Sequence, residues 1–408
     1  MTDSTYQFYL GVDWATEEHR VIVLDADRRV LHERTVRQEG VALEAFATWV
    51  SDLADGRVDT VAVALEVPRG AVVETLLARG CHVFAINPKQ LDRFRDRYTV
   101  AGAKDDRRDA RVLADALATD RPAFRRLAPE DPRVIELREV SRLDTDLRDE
   151  LRRLANRLLE QLSRFFPQML QLCPAADEPW LWALLERAPT PSAARALPRA
   201  TGRHLLTRYR IRRVGVDDVV TLLRTPALPV APGTVSAAQA HLTVLLPRLR
   251  LAHAQRATCG ARLDALLEEL ADHEEHRDVS ILRSLPGVGR AVAATMLAEA
   301  SRLLAARDYH GLRAHSGVAP VTKQSGKRAL VVMRQACNPR LRDAAHYWGQ
   351  SAVRHEPHSQ AHYARLRTQG HSHGRALRGV VDRLLRVLMA MLTTQTLYDP
   401  ARRMAAHA

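Results

Sequence analysis

No apolar run in the chain reaches the roughly 18–20 residues that a membrane span requires, and its start lacks the basic-then-apolar pattern of a secretory signal. Cysteine is scarce: Cys81, Cys173, Cys259 and Cys337 are scattered over 408 residues, with no C-x-x-C pair. Structural zinc and a disulfide framework are therefore not expected, and a reducing cytoplasm suits the chain. Lysine is scarcer still beside arginine, 4 residues against 57. The arginine excess can reflect genome composition alone. The lysines are more informative because they are few: Lys104 lies two residues before Asp106, and Lys323 and Lys327 bracket Ser325. A compact ammonium charge near a phosphate is one use for such positions.

What is present is positive charge in one place. The net charge is +13, and residues 276–408 carry 21 Lys and Arg against 7 Asp and Glu. The first 275 residues are balanced, 40 against 41. An excess confined to the last third is expected of a surface that lies against a polyanion, here nucleic acid. At this length the chain has room for two or three domains.

Residues 1–127 read as an α/β domain. Tyr6–Asp13, His19–Leu24 and Val30–Val36 have strand character, with a polar turn between the last two. Leu43, Phe46, Val50 and Leu53 are spaced for one helix face. Thr60–Glu66 is nearly continuously apolar, as in a sheet buried on both faces. A helix over 70–79, a strand over 82–86 and a helix over 90–98 follow. Three strands and then alternating helix and strand describe a mixed sheet of ribonuclease-H type, in which the first and fourth strands are neighbours. Asp13 and Glu66, each at the end of its strand, would then lie side by side, at the strand ends where α/β sheets place their ligands.

The run Lys104-Asp105-Asp106-Arg107-Arg108-Asp109-Ala110 opens the next helix. Asp106 and Asp109 are three apart, so on a helix they share a face at roughly 5–6 Å between Cβ atoms; Asp105 and Asp109 share a face equally well. Two acids at strand ends meeting this pair make a pocket of four carboxylates. Such a pocket suits two hard divalent cations, about 3.5–4 Å apart, which together clamp the attacking and leaving oxygens of a phosphoryl transfer.

Residues 128–275 read as helical. Leu137, Val140, Asp144, Leu147, Leu151, Leu154, Leu158 and Leu162 form a coiled-coil-like seam, and a second apolar pattern runs from Ser236 to Leu270 with an interruption expected at Pro247. A core or dimer helix pair accounts for this region. Proline-dense residues 170–235, with Trp180 and Trp182, read as short helices and loops.

Residues 276–408 hold two further motifs. Pro286-Gly287-Val288-Gly289-Arg290 has the form of a helix-hairpin-helix turn, whose glycines let backbone N–H groups approach a DNA phosphate without reading sequence. Ser325 sits in a polar stretch expected to be a loop, flanked by Lys323, Lys327 and Arg328, which can hold a phosphate against its hydroxyl. The histidines at 355, 358, 362, 371 and 373 read as surface residues, and 380–392 as a closing amphipathic helix.

In this order, Gly-Val-Asp13-Trp-Ala, Leu-Glu66, Lys104-x-Asp106-x-x-Asp109-Ala, Pro-Gly-Val-Gly and Gln-Ser325-Gly, the chain resembles the DEDD transposases of the "one-ten" bacterial insertion sequences, which are similar to Piv-type DNA invertases. Arg334, Asn338, Leu341 and Arg342 also fit the family's segment after the serine, and Cys337 stands where glycine is expected. The resemblance covers roughly 6–125 and 276–395. It implies a RuvC-like domain whose Asp13, Glu66, Asp106 and Asp109 hold Mg2+, a coiled-coil linker, and a transposase domain with Ser325 as nucleophile. It also implies a phosphoserine link to donor and target DNA, a site shared in a homo-oligomer (dimer or tetramer), and guidance by a structured noncoding bridge RNA, with base pairing choosing the sequence. The setting it implies is a bacterial cytoplasm, at the nucleoid. It also prefers Asp106 over Asp105.

Three other readings compete. A RuvC-like junction nuclease would use the four acids without a covalent intermediate. A sugar-kinase or actin-type fold would use Gly-Val-Asp-Trp-Ala-Thr as a phosphate turn, though no second such turn follows. A scaffold that binds nucleic acid would not need the acids for catalysis at all.

Overall fold

The first strand is covered by helices on both of its faces, and these two faces organise the N-terminal part. In the computed structural model, which describes residues 6–96, 105–272, 277–325 and 328–400, the chain divides into two compact units, 1–131 and 132–408. The first contains β1 (Phe8–Asp13), β2 (Glu18–Leu24), β3 (Val30–Arg37), α1 (Gly40–Leu53), β4 (Val61–Leu65), α2 (Ala71–Ala78), β5 (His82–Ala85), α3 (Pro88–Arg95), α4 (Asp106–Thr119) and a short β6 (Arg125–Arg126). These follow the expected order of elements closely.

The six strands form one sheet in the order β3-β2-β1-β4-β5-β6. β1, β2 and β3 are antiparallel, whereas β1, β4 and β5 run parallel. β4 is buried along its whole length, as its unbroken apolar run requires. One core holds Leu10, Val12, Val63, Leu65 and Val83 with Leu43, Phe46 and Val50 of α1 and Val72, Val73 and Leu76 of α2. Another holds Ala62, Ala64 and Phe84 with Leu91 of α3 and Val112, Leu113 and Leu117 of α4. The sheet is thus covered on both faces, and the pairing of Val12 with Leu65 sets the ends of β1 and β4 side by side.

The second unit is built on two long helices, α5 (Pro132–Phe165) and, after five short ones, α11 (Pro232–Ala271). At 34 and 40 residues they span about 51 and 60 Å at 1.5 Å per residue. They run antiparallel: Glu136 meets Arg262 and Asp144 meets Arg256. α11 continues through Pro247, where an interruption was expected. Leu245, Leu246 and Leu249 are buried on both sides of the proline, and this packing holds the helix together across the lost hydrogen bond. The short helices α6 (Gln168–Leu172), α7 (Pro179–Arg187), α8 (Pro191–Arg195), α9 (Arg199–Arg208) and α10 (Val216–Arg224) gather around Phe165, Phe166, Trp180 and Trp182 beside Leu158 of α5 and Leu242 of α11.

The rest comprises α12 (Arg277–Ser284), α13 (Arg290–Ala305), α14 (Tyr309–His315), β7 (Val321–Ser325), β8 (Arg328–Val332), α15 (Pro339–His355), α16 (Pro357–Thr368) and α17 (His373–Thr394). The sequence boundary at 275/276 separates no cores here. Leu137 of α5 and Leu263, Leu266 and Leu270 of α11 share one cluster with Ile281, Met296, Trp348, Leu384 and Leu388. The stretch expected to be a polar loop around Ser325 is a two-stranded antiparallel ribbon, with Ser325 paired to Arg328 next to its tip. Among the described residues, no helix is long and apolar enough to cross a membrane.

Candidate active site

Asp13 is the last residue of β1 and Glu66 directly follows β4, so the parallel pairing of those strands brings both acids to one edge. α4 brings the other two. Its buried face starts at Asp109 and continues through Ala110, Val112, Leu113 and Ala114. This helix lies directly on β1, because position 11 is glycine: a Cβ there would come within 1.8 Å of the Ala110 carbonyl oxygen and 2.7 Å of the Ala114 nitrogen. Only glycine on the strand opposite alanines on the helix permits so close a contact. The price of that contact is a residue that can hardly be replaced; its result is that the first turn of α4 faces the end of β1.

The choice between Asp105 and Asp106 has a structural side. Asp105 is the N-cap of α4, and its Oδ1 accepts a hydrogen bond from the Arg107 N–H at 3.2 Å. Asp106 is the first helical residue and acts on Asp13 electrostatically. Burial, followed by the like charges of Asp109, Asp106 and Glu66, raises the Asp13 pKa to about 6, while Arg95 works in the opposite direction. Asp109, Asp106 and Glu66 thus lie near enough to Asp13 to act on its charge, though no three of these carboxylates come within 4.8 Å of one another, and Asp105 is used as a cap.

Two residues that the sequence did not single out complete the site. Arg95, on the last turn of α3, holds Asp109 with two hydrogen bonds, Nε to Oδ1 at 2.8 Å and Nη2 to Oδ2 at 2.9 Å. The same guanidinium reaches Asp92 at 2.5 Å and lies 3.9 Å from Glu66. His19, fully buried on β2, accepts from the Ala15 N–H at Nδ1 (3.3 Å) and donates from Nε2 to Gln38 at 2.6 Å, which fixes the turn that leaves Asp13. Neither had a signal beyond its residue type, and Arg95 is one of 57 arginines.

The donor set, four carboxylates with no thiol or imidazole, fits a hard divalent ion such as Mg2+. Half-burial of Asp13 beside like charges carries a cost that Arg95 offsets in part and that a bound cation would offset further. Among the described residues, the three ligand groups that lie within 4.8 Å of one another are elsewhere, at Cys173, Asp177 and Glu178. There Glu178 is already taken by Arg213 and by the Trp180 Nε1–H at 2.8 Å, so that cluster is explained by pairing inside the protein.

A profile of DEDD transposases of IS110 type, described as "Transposase", matches residues 10–167, and one described as "Transposase IS116/IS110/IS902 family" matches residues 279–364. The chain is 30% identical to "Mini-circle putative transposase for IS117" of Streptomyces coelicolor, over 99% of its own length and 98% of that protein. The chain belongs to the IS110/IS116 family of transposases. It is also similar to "Putative transposase y4uE" of Sinorhizobium fredii, 52% identical over 52% of the chain and 59% of that protein. "Insertion element IS900 uncharacterized 42 kDa protein" of Mycobacterium paratuberculosis is 29% identical over 98% of each.

In the helical unit of this transposase the predicted residues have varied surroundings. Gly287 has φ +81°, and a Cβ on it would come within 2.7 Å of the Ala352 nitrogen, so the Pro-Gly-Val-Gly turn packs backbone to backbone on α15. The Trp348 Nε1–H donates to the Pro286 carbonyl at 2.9 Å and fixes the same contact. Arg290 lies over Gly260 of α11 and pairs with Asp264 at 2.6 Å. Gly289, extended and N-terminal to α13, has open space around its Cα. Of the turn, Gly287 and Arg290 therefore have packing partners within the unit, and Gly289 is the position left open.

Around Ser325, the ribbon's second strand exposes Leu330 and Val331, 62% and 59% accessible. Lys323 is exposed on the first strand, Arg328 opens the second, and Lys327 lies outside the described residues, as does Lys104. The segment after the ribbon is anchored. Asn338 caps α15 by accepting from the Arg340 and Leu341 N–H groups, and its Nδ2 donates to Glu299 at 2.8 Å. Arg142 of α5 clamps the same Glu299, at 2.8 and 3.3 Å. Although burial works against its charge, these partners pull the Glu299 pKa below the usual carboxylate value. Leu341 is fully buried, and the Arg334 Nε–H donates to the Ala319 carbonyl at 3.3 Å.

Proposed function

We propose that this transposase cuts and rejoins DNA by attack of Ser325 at a phosphate held against the carboxylates of Asp13, Glu66, Asp106 and Asp109. The observation that carries the reading is the placement of Asp13 and Glu66 at the paired ends of β1 and β4 with α4 laid on β1, where burial and then the like charges of Asp109, Asp106 and Glu66 push the Asp13 pKa to about 6. A surface designed only for stability gains nothing from four acids so arranged. The strand order β3-β2-β1-β4-β5, with acids at the ends of β1 and β4 and on α4, supports a ribonuclease-H-like (RuvC-like) assignment of the first unit.

Two divalent ions of the Mg2+ class, when bound by these four carboxylates, would supply charge neutralisation at the phosphate and at the leaving oxygen. The chain's own residues do the rest. Glu66 and Asp13 are fixed by the sheet, and Asp109 by the close contact of α4 with Gly11. Oγ of Ser325 forms a bond to phosphorus, its proton passes to solvent, and a deoxyribose oxygen leaves and takes up a proton. Rejoining reverses the exchange, as a sugar hydroxyl displaces Oγ. Lys323, Lys327 and Arg328 would hold the phosphate to the serine, and the backbone at Gly289, which has open space around its Cα at the start of α13, would contact the DNA backbone.

The excess of basic residues over 276–408 supports a polyanionic partner, and the family supports DNA. In the same reading a structured bridge RNA from the element chooses donor and target sequences. Two or four copies of the chain assemble, so that Ser325 of one copy can meet the acids of another. The reading is tested by sequencing the RNA that co-purifies with the protein and by strand cleavage with the Ser325→Ala variant. An element-derived RNA and loss of cleavage are expected. Cleavage by Ser325→Ala at the wild-type rate would instead favour a RuvC-like hydrolytic nuclease.

A further inference from the structure

Arg95 is placed where a cation in the carboxylate pocket would have to act. Its guanidinium takes both oxygens of Asp109, a side chain only 5% exposed, and its other terminal nitrogen goes to Asp92. It also lies 3.9 Å from Glu66 and is itself 26% exposed. A planar fork of this kind matches a carboxylate on two points, and such pairs are strong when water is largely excluded. The charged groups that act on it or feel its charge are Asp92 on its own helix, Asp109 on α4, Asp13 on β1 and Glu66 after β4. One fixed positive charge therefore serves several negative ones.

The geometry points to Arg95 as the resident counter-ion of the pocket, which competes with divalent cations for Asp109 and Glu66 and so sets their affinity. This rests on the four-carboxylate reading above but goes beyond it. Each carboxylate oxygen can accept more than one partner, so Arg95 does not block the pocket; it weakens the pull of the acids on an added cation. It also supports Asp109 when no such ion is bound. Because Arg95 ends α3, a cation that takes Asp109 from it also removes the tie between α3 and α4 on this side. Arg95 is thus a positioning residue that tunes the site, with no contact to the reacting atoms required.

The test is titration of the full-length protein with Mn2+, followed by the electron paramagnetic resonance signal of the free ion, beside thermal melts with and without Mn2+. Arg95→Gln keeps a hydrogen-bonding side chain and removes the charge. Removing a unit charge a few ångströms from a divalent site is expected to tighten Mn2+ binding by about tenfold or more, while lowering the melting temperature without Mn2+ and restoring it with Mn2+. Arg95→Lys keeps the charge and loses the fork, so its affinity should lie between the two; it carries the test if Arg95→Gln does not fold. The Asp13→Asn, Glu66→Gln double variant separates the two claims. Mn2+ bound by wild type, lost in the double variant and unchanged or weakened by the Arg95 substitutions would overturn the counter-ion role and leave the acid site standing. No Mn2+ bound by wild type or by either Arg95 variant would overturn both.

Discussion

The two predicted parts of the chemistry are built in opposite ways. The acids lie at the ends of two central parallel strands and on a helix laid against one of them, where the chain has least freedom. The serine lies near the tip of a two-stranded ribbon whose second strand exposes Leu330 and Val331. The difference suits the roles proposed for each. Like charges stay close only if the scaffold over-determines their positions, and packing such as that of Gly11 under α4 does this. A nucleophile that must meet DNA is better carried on a projecting element, supported at its base rather than at its tip. At its base the Arg334 Nε–H donates to the Ala319 carbonyl, and the segment that follows is anchored by Asn338, Glu299 and Arg142.

The sharpest break in this comparison would come from the acids. Asp13→Asn or Glu66→Gln should leave the fold intact and reduce strand cleavage by a factor on the order of 10³ or more, since groups that act as a unit fail together. A gel assay on DNA carrying the element ends checks this. Gly11→Val attacks the scaffold instead. Its side chain has nowhere to go between β1 and α4, and a loss of roughly 3 kcal/mol or more is expected from overpacking and forced displacement of α4, measured by chemical denaturation. A substitution on the ribbon of similar size, Leu330→Ala, should change stability by less than about 0.5 kcal/mol.

A third prediction concerns pH. Because the folded Asp13 pKa lies at about 6, above its ordinary value of 3.8, the folded protein holds this proton more tightly than the unfolded chain does. The contribution to stability is fully present below about pH 4 and is lost as pH rises through about 6. Asp13→Asn should therefore stabilise the protein at pH 7.5 without divalent ions, with little gain at pH 4, as read from melting curves at each pH. A smaller loss than that of Gly11→Val is expected at the anchor of the segment after the ribbon. Asn338→Ala removes the α15 cap and a partner of Glu299, at a cost of about 1–2 kcal/mol, and should lower cleavage more than that loss alone explains if the support positions the serine.

Much of the first unit was legible because its strands carry unbroken apolar runs and end in acids. Asp13, Glu66 and Asp109 could be placed from strand order and helix spacing. Asp105 and Asp106 could not be separated, since only the position of the helix start makes one the cap. Arg95 was hidden by the abundance of arginine. In the second unit, Thr322-Lys323-Gln324-Ser325 has too little apolar character to read as a strand, and only its pairing with Leu330 and Val331 makes it one. The boundary at 275/276 also failed to mark a core, because Leu137 and Leu263 join residues far along the chain to the C-terminal helices. The Pro-Gly-Val-Gly turn was found, but its fit against α15 is a property of packing that spacing does not contain.

Attack by Ser325 would leave a covalent adduct. The full-length protein, with whatever RNA co-purifies, is incubated with DNA bearing the element ends, quenched in denaturant, and digested for mass spectrometry. A nucleotide attached to the peptide containing Ser325 is predicted, absent in Ser325→Ala and in the Asp13→Asn, Glu66→Gln double variant. Cleaved DNA with no adduct, or an adduct on another residue, would contradict it.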